Sequence, residues 1–132
     1  GDIAMFALFD LSEKDVIHLA LFDEGQKHDQ TSDARNRDLL KLFDGFLEEQ
    51  QMNIKGVQGI MVVVGAGGFS NTRIATTVAN ALAYTLQISL LAITESQIHD
   101  VQLLIPKLIA QPKGQYISAT YSGDPNIGGR SV

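Results

Sequence analysis

A chain of 132 residues with 45% apolar and 19% charged side chains has the length of one compact domain and enough apolar surface for a buried core, which excludes disorder. Its formal net charge is -5, and its lysines and arginines are scattered, with only Arg35 and Arg37 close together. That excludes a free-standing nucleic-acid binder, which needs a basic stripe to displace counterions from phosphates.

No cysteine is present, so disulfides and thiolate metal sites are excluded, and the expected compartment is a reducing cytoplasm. No window approaches the ~18 unbroken apolar residues of a membrane span, and no basic-then-apolar export segment opens the chain. Residues 1–132 read as one domain, with 122–132 a loop-like tail. Ile3 to Phe9 is almost wholly apolar, which predicts a strand covered on both faces. "DLSEKD" is a turn, Val16 to Phe22 a second strand, and "DEGQKHDQTSD" a second turn at Glu24-Gly25 with a short polar edge strand. The three strands are expected to form an antiparallel meander.

From about Asp33 to Gln51 the apolar period is helical, and Ser32 or Asp33 can cap the start. Leu39, Leu40, Leu42, Phe43, Phe46 and Leu47 share one arc. Gly45 costs about 1 kcal/mol against alanine in a helix interior and leaves room for a close neighbour. Ile60–Val64 is the next strand, and Asn71 to Leu86 or Gln87 the next helix. Ile74, Val78, Ala81 and Leu82 line one side of that helix, while Ala75, Ala79 and Ala83 form a ridge that lets another helix come close. Ile88–Ile93 is a buried strand, parallel to Ile60–Val64 through a right-handed crossover. Ser96–Leu104 reads as a helix capped by Thr94 and stopped near Pro106, and Gln115–Tyr121 as a last strand or extended segment. "SGDPNIGGRSV" has loop chemistry.

Between the strand at Ile60 and the following helix lies "GAGGFSNTR", Gly65 to Arg73. A strand, a glycine turn and a helix in that order often cradle a phosphate. A P-loop would need a lysine that is absent here, and a dinucleotide fingerprint would need glycine where Ser70 stands. Glu95 follows the next strand, where an acidic residue could hold a ribose, but that fingerprint normally opens its fold at the first strand. As turn chemistry alone, the glycines supply positive φ and close packing, which leaves Phe69 and Arg73 unexplained. His18, His28 and His99 lie on different elements without metal-ligand spacing. His18 reads as a hydrogen-bonded strand residue, and no nucleophile elbow is present.

The same string resembles the G-x-G-S-F-T-G-x-R signature of the TsaB family, the bacterial subunit of the threonylcarbamoyladenosine tRNA-modification machinery once classed as glycoprotease-like. Gly65, Gly67, Phe69 and Arg73 match it, and Ser70 replaces threonine. Gly68 stands for the usual serine, Ala66 for a common proline, and Asn71 for glycine, asparagine being the next best left-handed residue. "MFALFDLSEKDVIHLALFDEG" is similar to the family's opening hairpin, with Asp10-Leu11-Ser12 at its turn, and the later elements follow in the family's order. Members are commonly longer, so the chain resembles a short, one-lobed relative.

The resemblance implies an α/β fold: one lobe of the actin-like ATPase (ribonuclease H-like) architecture, with a mixed sheet of about five strands and flanking helices. It implies Asp10 and Ser12 as residues facing a nucleotide phosphate; read alone, they are a solvated hairpin loop. It further implies a non-catalytic scaffold without peptidase activity or a cofactor of its own, with ATP entering only with a partner. The partners would be a TsaD-like catalytic paralogue, met through two helices from each protein, and a TsaE-like ATPase. The tRNA would be reached only through the complex, with no membrane involved. Both long helices carry more apolar surface than one sheet face covers, which marks a partner site, and Leu39, Phe43, Phe46, Ala75, Ala79 and Ala83 are its expected contacts. Arg73 would lock the glycine turn through a carbonyl or carboxylate. Two readings compete for that apolar surface: burial under residues 96–121, and a homodimer through the same helices. A small nucleotide-binding protein using Gly65–Arg73 and Asp10 is the competing function.

Overall fold

The computed structural model describes residues 5–35, 38–65 and 69–117. In chain order they form β1 (Met5–Asp10), β2 (Val16–Phe22), β3 (Lys27–Asp33), α1 (Leu39–Glu49), β4 (Val57–Val63), α2 (Phe69–Leu86), β5 (Ser89–Ile93) and α3 (Ile105–Ile109). A 3₁₀ turn, Ile54–Gly56, precedes β4, and a 3₁₀ stretch, Glu95–Leu104, precedes α3. The strands make one sheet in the order β3-β2-β1-β4-β5. β1, β2 and β3 form the expected antiparallel meander; β4 lies parallel to β1, and β5 parallel to β4. This mixed five-stranded sheet with helices on it is the actin-like lobe that the resemblance implies.

β1 and β4 read as nearly unbroken apolar runs because the sheet is covered on both sides. On one face, Ala7, Phe9, Leu19, Leu21, Ile60 and Val62 pack under α1 and α2. There the Phe9 and Phe43 rings meet edge to face at 4.9 Å. On the other face, Phe6, Leu8, Phe22, Met61 and Ile93 pack with Val101 of the 3₁₀ stretch and Ile105 and Leu108 of α3. β3 forms one edge of the sheet, and its sequence KHDQTSD contains no apolar residue. Such an edge discourages unplanned strand pairing.

Several boundaries differ from expectation, each for a local reason. β3 runs on to Asp33, so Asp38, rather than Ser32 or Asp33, caps α1. Its carboxylate accepts from the Leu40 and Lys41 amides at 2.9 and 3.3 Å, while Asp33 accepts from the Arg35 amide at 2.9 Å. Gly45 has open space rather than a close neighbour where a Cβ would stand. The helix expected over 96–104 is 3₁₀ and broken at Asp100. Pro106 does not stop a helix but sits in the first turn of α3, where a missing amide is harmless. Residues 115–117 pair with no strand; instead the Ile117 amide donates to Asn80 Oδ1 at 2.9 Å and Asn80 Nδ2 donates to the Ile117 carbonyl at 2.8 Å. The expected continuation to Tyr121 and the tail 122–132 lie outside the described residues.

Both long helices end on a left-handed glutamine, Gln51 (φ 57°) and Gln87 (φ 54°). The following amides fold back, Met52 to the Leu47 carbonyl at 2.8 Å and Ile88 to the Ala83 carbonyl at 3.0 Å. Glycine is usual at that position. Gln51→Gly is therefore expected to stabilise the chain by about 1 kcal/mol and raise the melting temperature by a few degrees. Gly59→Ala acts the other way: its Cβ would meet Leu108 Cδ2 at 2.7 Å and Phe6 Cδ1 at 3.2 Å in the packed core. Overpacking of this kind costs roughly 1–3 kcal/mol, and thermal melts of the two variants check both signs.

Candidate functional site

At the carboxyl end of β1, side-chain alternation turns Asp10 to the face that Phe6 and Leu8 share, beside the helical layer of the 3₁₀ stretch and α3. The hairpin register sets His18 of β2 directly opposite Asp10, and the second hairpin brings Asp29 of β3 to the same face, opposite Ala20 and diagonal to His18. The side chains join across three strands. The amide of Ser12 donates to Asp10 Oδ1 at 3.0 Å, and its hydroxyl donates to the same oxygen at 2.5 Å. His18 Nδ1 lies 3.0 Å from Asp10 Oδ2, and His18 Nε2 lies 2.6 Å from Asp29 Oδ2. Lys27 Nζ stands 3.1 Å from that same Asp29 oxygen.

Ionised carboxylates only accept, so both ring nitrogens must carry hydrogen for both contacts to be hydrogen bonds. The site is built for an imidazolium. Hydrogen bonding to Asp10 is the largest influence on His18; burial opposes it, Asp29 adds to it, and the net effect raises the pKa above 6.5. For Asp10, burial pushes upward, but hydrogen bonds from His18 and Ser12 outweigh it and hold the carboxyl below 3.8. Asp29 is likewise lowered: burial opposes the shift, and His18 and Lys27 outweigh it.

This geometry corrects the reading of Asp10 and Ser12 as a solvated hairpin loop. Asp10 is only 8% exposed, both its oxygens are engaged, and the Ser12 hydroxyl hydrogen is directed at Asp10. A carboxylate committed in this way offers a phosphate no donor. His18 is the hydrogen-bonded strand residue expected; the spacing alone does not point to its partner Asp29, nor to Lys27, which pairs with Asp29. The only sequence signal for them is their alternating position on the polar strand.

Of the glycine string, Gly65 has φ 72°, the left-handed backbone expected of the turn. Gly67 and Gly68 lie outside the described residues, as do the side chains of Phe69 and Ser70, whose backbone opens α2. Arg73 is exposed on the first turns of α2, and the lock expected of it falls on residues outside those described. His28 and His99 are exposed, and among the described residues no three histidine, aspartate or glutamate side chains could hold a metal.

The six expected partner contacts need correction. Leu39, Phe43, Phe46, Ala75, Ala79 and Ala83 are all buried in the chain's own core, in one cluster with Ile60 and Val62 of β4. The alanine ridge seats α2 closely on the sheet instead of admitting a foreign helix. The side left outward carries Ile74 and Tyr84, 49% and 72% exposed, with Val78 and Leu82 half-buried. No charged residue occurs from Ile74 to Leu86. On α1, Leu40 is 42% exposed. Burial of these helices under residues 96–121 is not what the described part shows: the 3₁₀ stretch and α3 cover the opposite sheet face, and Ile117 reaches α2 through Asn80.

No helix among the described residues is long and apolar enough to cross a membrane. No protein-family model matches the chain, and no curated protein matches it. Among solved structures, the chain is similar to an uncharacterised protein with similarity to peptidase YeaZ from Pseudomonas aeruginosa. The TM-score is 0.62 at 27% identity, over 70% of this chain and 44% of that one. It is also similar to YeaZ from Pseudomonas aeruginosa, with TM-score 0.62 and 27% identity over 69% of this chain and 45% of that one. The chain thus spans less than half the length of the solved relatives it matches. Over that matched part the chain shares the fold of YeaZ, in agreement with the TsaB-family resemblance carried by Gly65–Arg73.

Proposed function

We propose that the chain is a non-catalytic scaffold of the TsaB kind, which pairs with a TsaD-like catalytic paralogue through the outward sides of α1 and α2. In this reading a TsaE-like ATPase joins the pair in the cytoplasm, and threonylcarbamoyladenosine is made on tRNA held by the complex. The chain itself contributes no cofactor and no peptidase chemistry.

One observation carries the docking surface. A solvent-facing helix normally shows charged residues on its outer side, yet α2 has none over its last three and more turns, Ile74 to Leu86. Ile74 and Tyr84 stand out from it. Depletion of charge with an aromatic residue present is the composition of an interface core. The likeness to YeaZ supports a TsaD-like partner. The alternating commitments of Asp10, His18 and Asp29 support a structural rather than a catalytic use of the polar row.

Co-expression with the catalytic paralogue from the same organism is expected to yield a complex with micromolar or tighter affinity. Tyr84→Arg or Ile74→Asp should weaken it by about tenfold or more, roughly 1.4 kcal/mol, while leaving the melting temperature of the free chain nearly unchanged. Absence of binding at micromolar concentration overturns the reading. A homodimer that the paralogue cannot displace reassigns the surface to self-association.

The competing nucleotide reading is tested by thermal shift with ATP, ADP or NAD. A ligand at about 100 times its Kd stabilises by about 2.7 kcal/mol, so the expected flat response at millimolar nucleotide excludes tight binding by the isolated chain.

A further inference from the structure

β3 is held to the sheet differently from every other strand. β1, β2, β4 and β5 bury apolar side chains, whereas Lys27–Asp33 has none to bury. Its ladder with β2 spans Val16↔Asp33 to Phe22↔Lys27. Its ends are tied by bonds to backbone carbonyls. The Ala34 amide donates to the Asp15 carbonyl at 2.9 Å, and Gln102 Nε2 donates to the Asp23 carbonyl at 2.9 Å at the β2–β3 turn. Between those ends, the His18–Asp29 contact crosses from β2 to the middle of β3. A strand without buried apolar contacts belongs to the low-stability end of a fold and opens locally before the core does.

We propose that His18 is a proton-dependent latch on the edge strand β3. Carrying two ring hydrogens, it bridges Asp10 of β1 and Asp29 of β3 across β2. Carrying one, it can donate to only one of the two carboxylates. The bond to Asp10 is the one retained, because Asp10 is the more buried carboxylate, while Asp29 is 42% exposed at its side chain and keeps Lys27 and water. β3 then loses its mid-strand side-chain tie to β2 and keeps only the backbone ladder there.

The helical layer on this face packs over β4 and β5 and also meets β1 and β2 through Phe6, Leu8 and Phe22. The charged groups acting on His18 nevertheless come from β1 and β3: Asp10 and Asp29, with Lys27 on Asp29. Asp33 shares that face further along β3 and pairs with Arg35 at 2.8 Å. His28 alternates to the other face, opposite Leu21, and Asp15 lies in the β1–β2 turn. The direction of the switch follows from linkage. With its folded pKa raised above 6.5, His18 gives its full stabilisation below about pH 6.5 and loses it as pH rises through the folded value. The latch is closed near pH 6 and opens as pH rises through the folded value.

The test is amide hydrogen exchange on the full chain at pH 6 and pH 9, with rates corrected to protection factors and His18 followed by ring-nitrogen NMR. Protection of the β3 amides bonded to β2 is expected to fall about tenfold between the two pH values, with β1 and β4 changing less than about twofold. Asp29→Asn should lower β3 protection at pH 6 and remove most of its pH dependence. His28→Gln should leave that dependence intact. His18→Gln serves as a second removal of the bridge, with Asp29→Asn sufficient if it does not fold. The proposal is overturned if wild-type β3 protection tracks that of β1, if Asp29→Asn keeps the full pH response, or if the His18 ring is singly protonated at pH 6.

Discussion

The close seating of α2 on the sheet is the contact on which the layout of the rest depends. Ala75, Ala79 and Ala83 present methyl groups in a row to the sheet, so the helix axis comes near the strands without long side chains between. That distance fixes two things at once. It lets Ile60 and Val62 of β4 reach Phe43 and Phe46 of α1 in one continuous core, and it settles which side of α2 is turned outward. A longer side chain at any of the three alanines would lift the helix and open the core between the two layers.

The architecture was largely legible because the central strands are extreme. β1 and β4 are apolar on both faces, which only a doubly covered sheet tolerates, and polar turns separate the first three strands cleanly. What the sequence hid were places where one residue does another's usual job. Gln51 and Gln87 take the left-handed position at which glycine would have announced a helix end. Asp38 rather than Asp33 caps α1, because β3 uses its last residue for the ladder. The burial of Leu39, Phe43, Phe46, Ala75, Ala79 and Ala83 in the chain's own core is hidden for a related reason. Helical periodicity says which residues share a side, but α2 has two adjoining apolar sides, and nothing in spacing alone says that the alanine side faces the sheet. The polar row was half legible: His18 stood out in an apolar strand, whereas Asp29 reaches it only through the hairpin register.

The match to the YeaZ structures covers less than half of their length, and the chain's own five strands make one sheet. The described residues bury a core on both sheet faces. The scaffold reading and the edge-strand latch therefore concern opposite parts of an already formed unit. One uses the outward side of the helix pair; the other uses the polar edge farthest from β5. Neither requires the other, and each leaves the packed centre unchanged.

Gly45 has a practical consequence. It sits inside α1 with nothing within 4 Å of where a side chain would begin, and the sequence has no cysteine anywhere. A thiol introduced there would be unique and would disturb no packing. It would place a fluorophore or spin label on the outer surface of the helical layer, where quenching or broadening reports directly on the approach of another molecule.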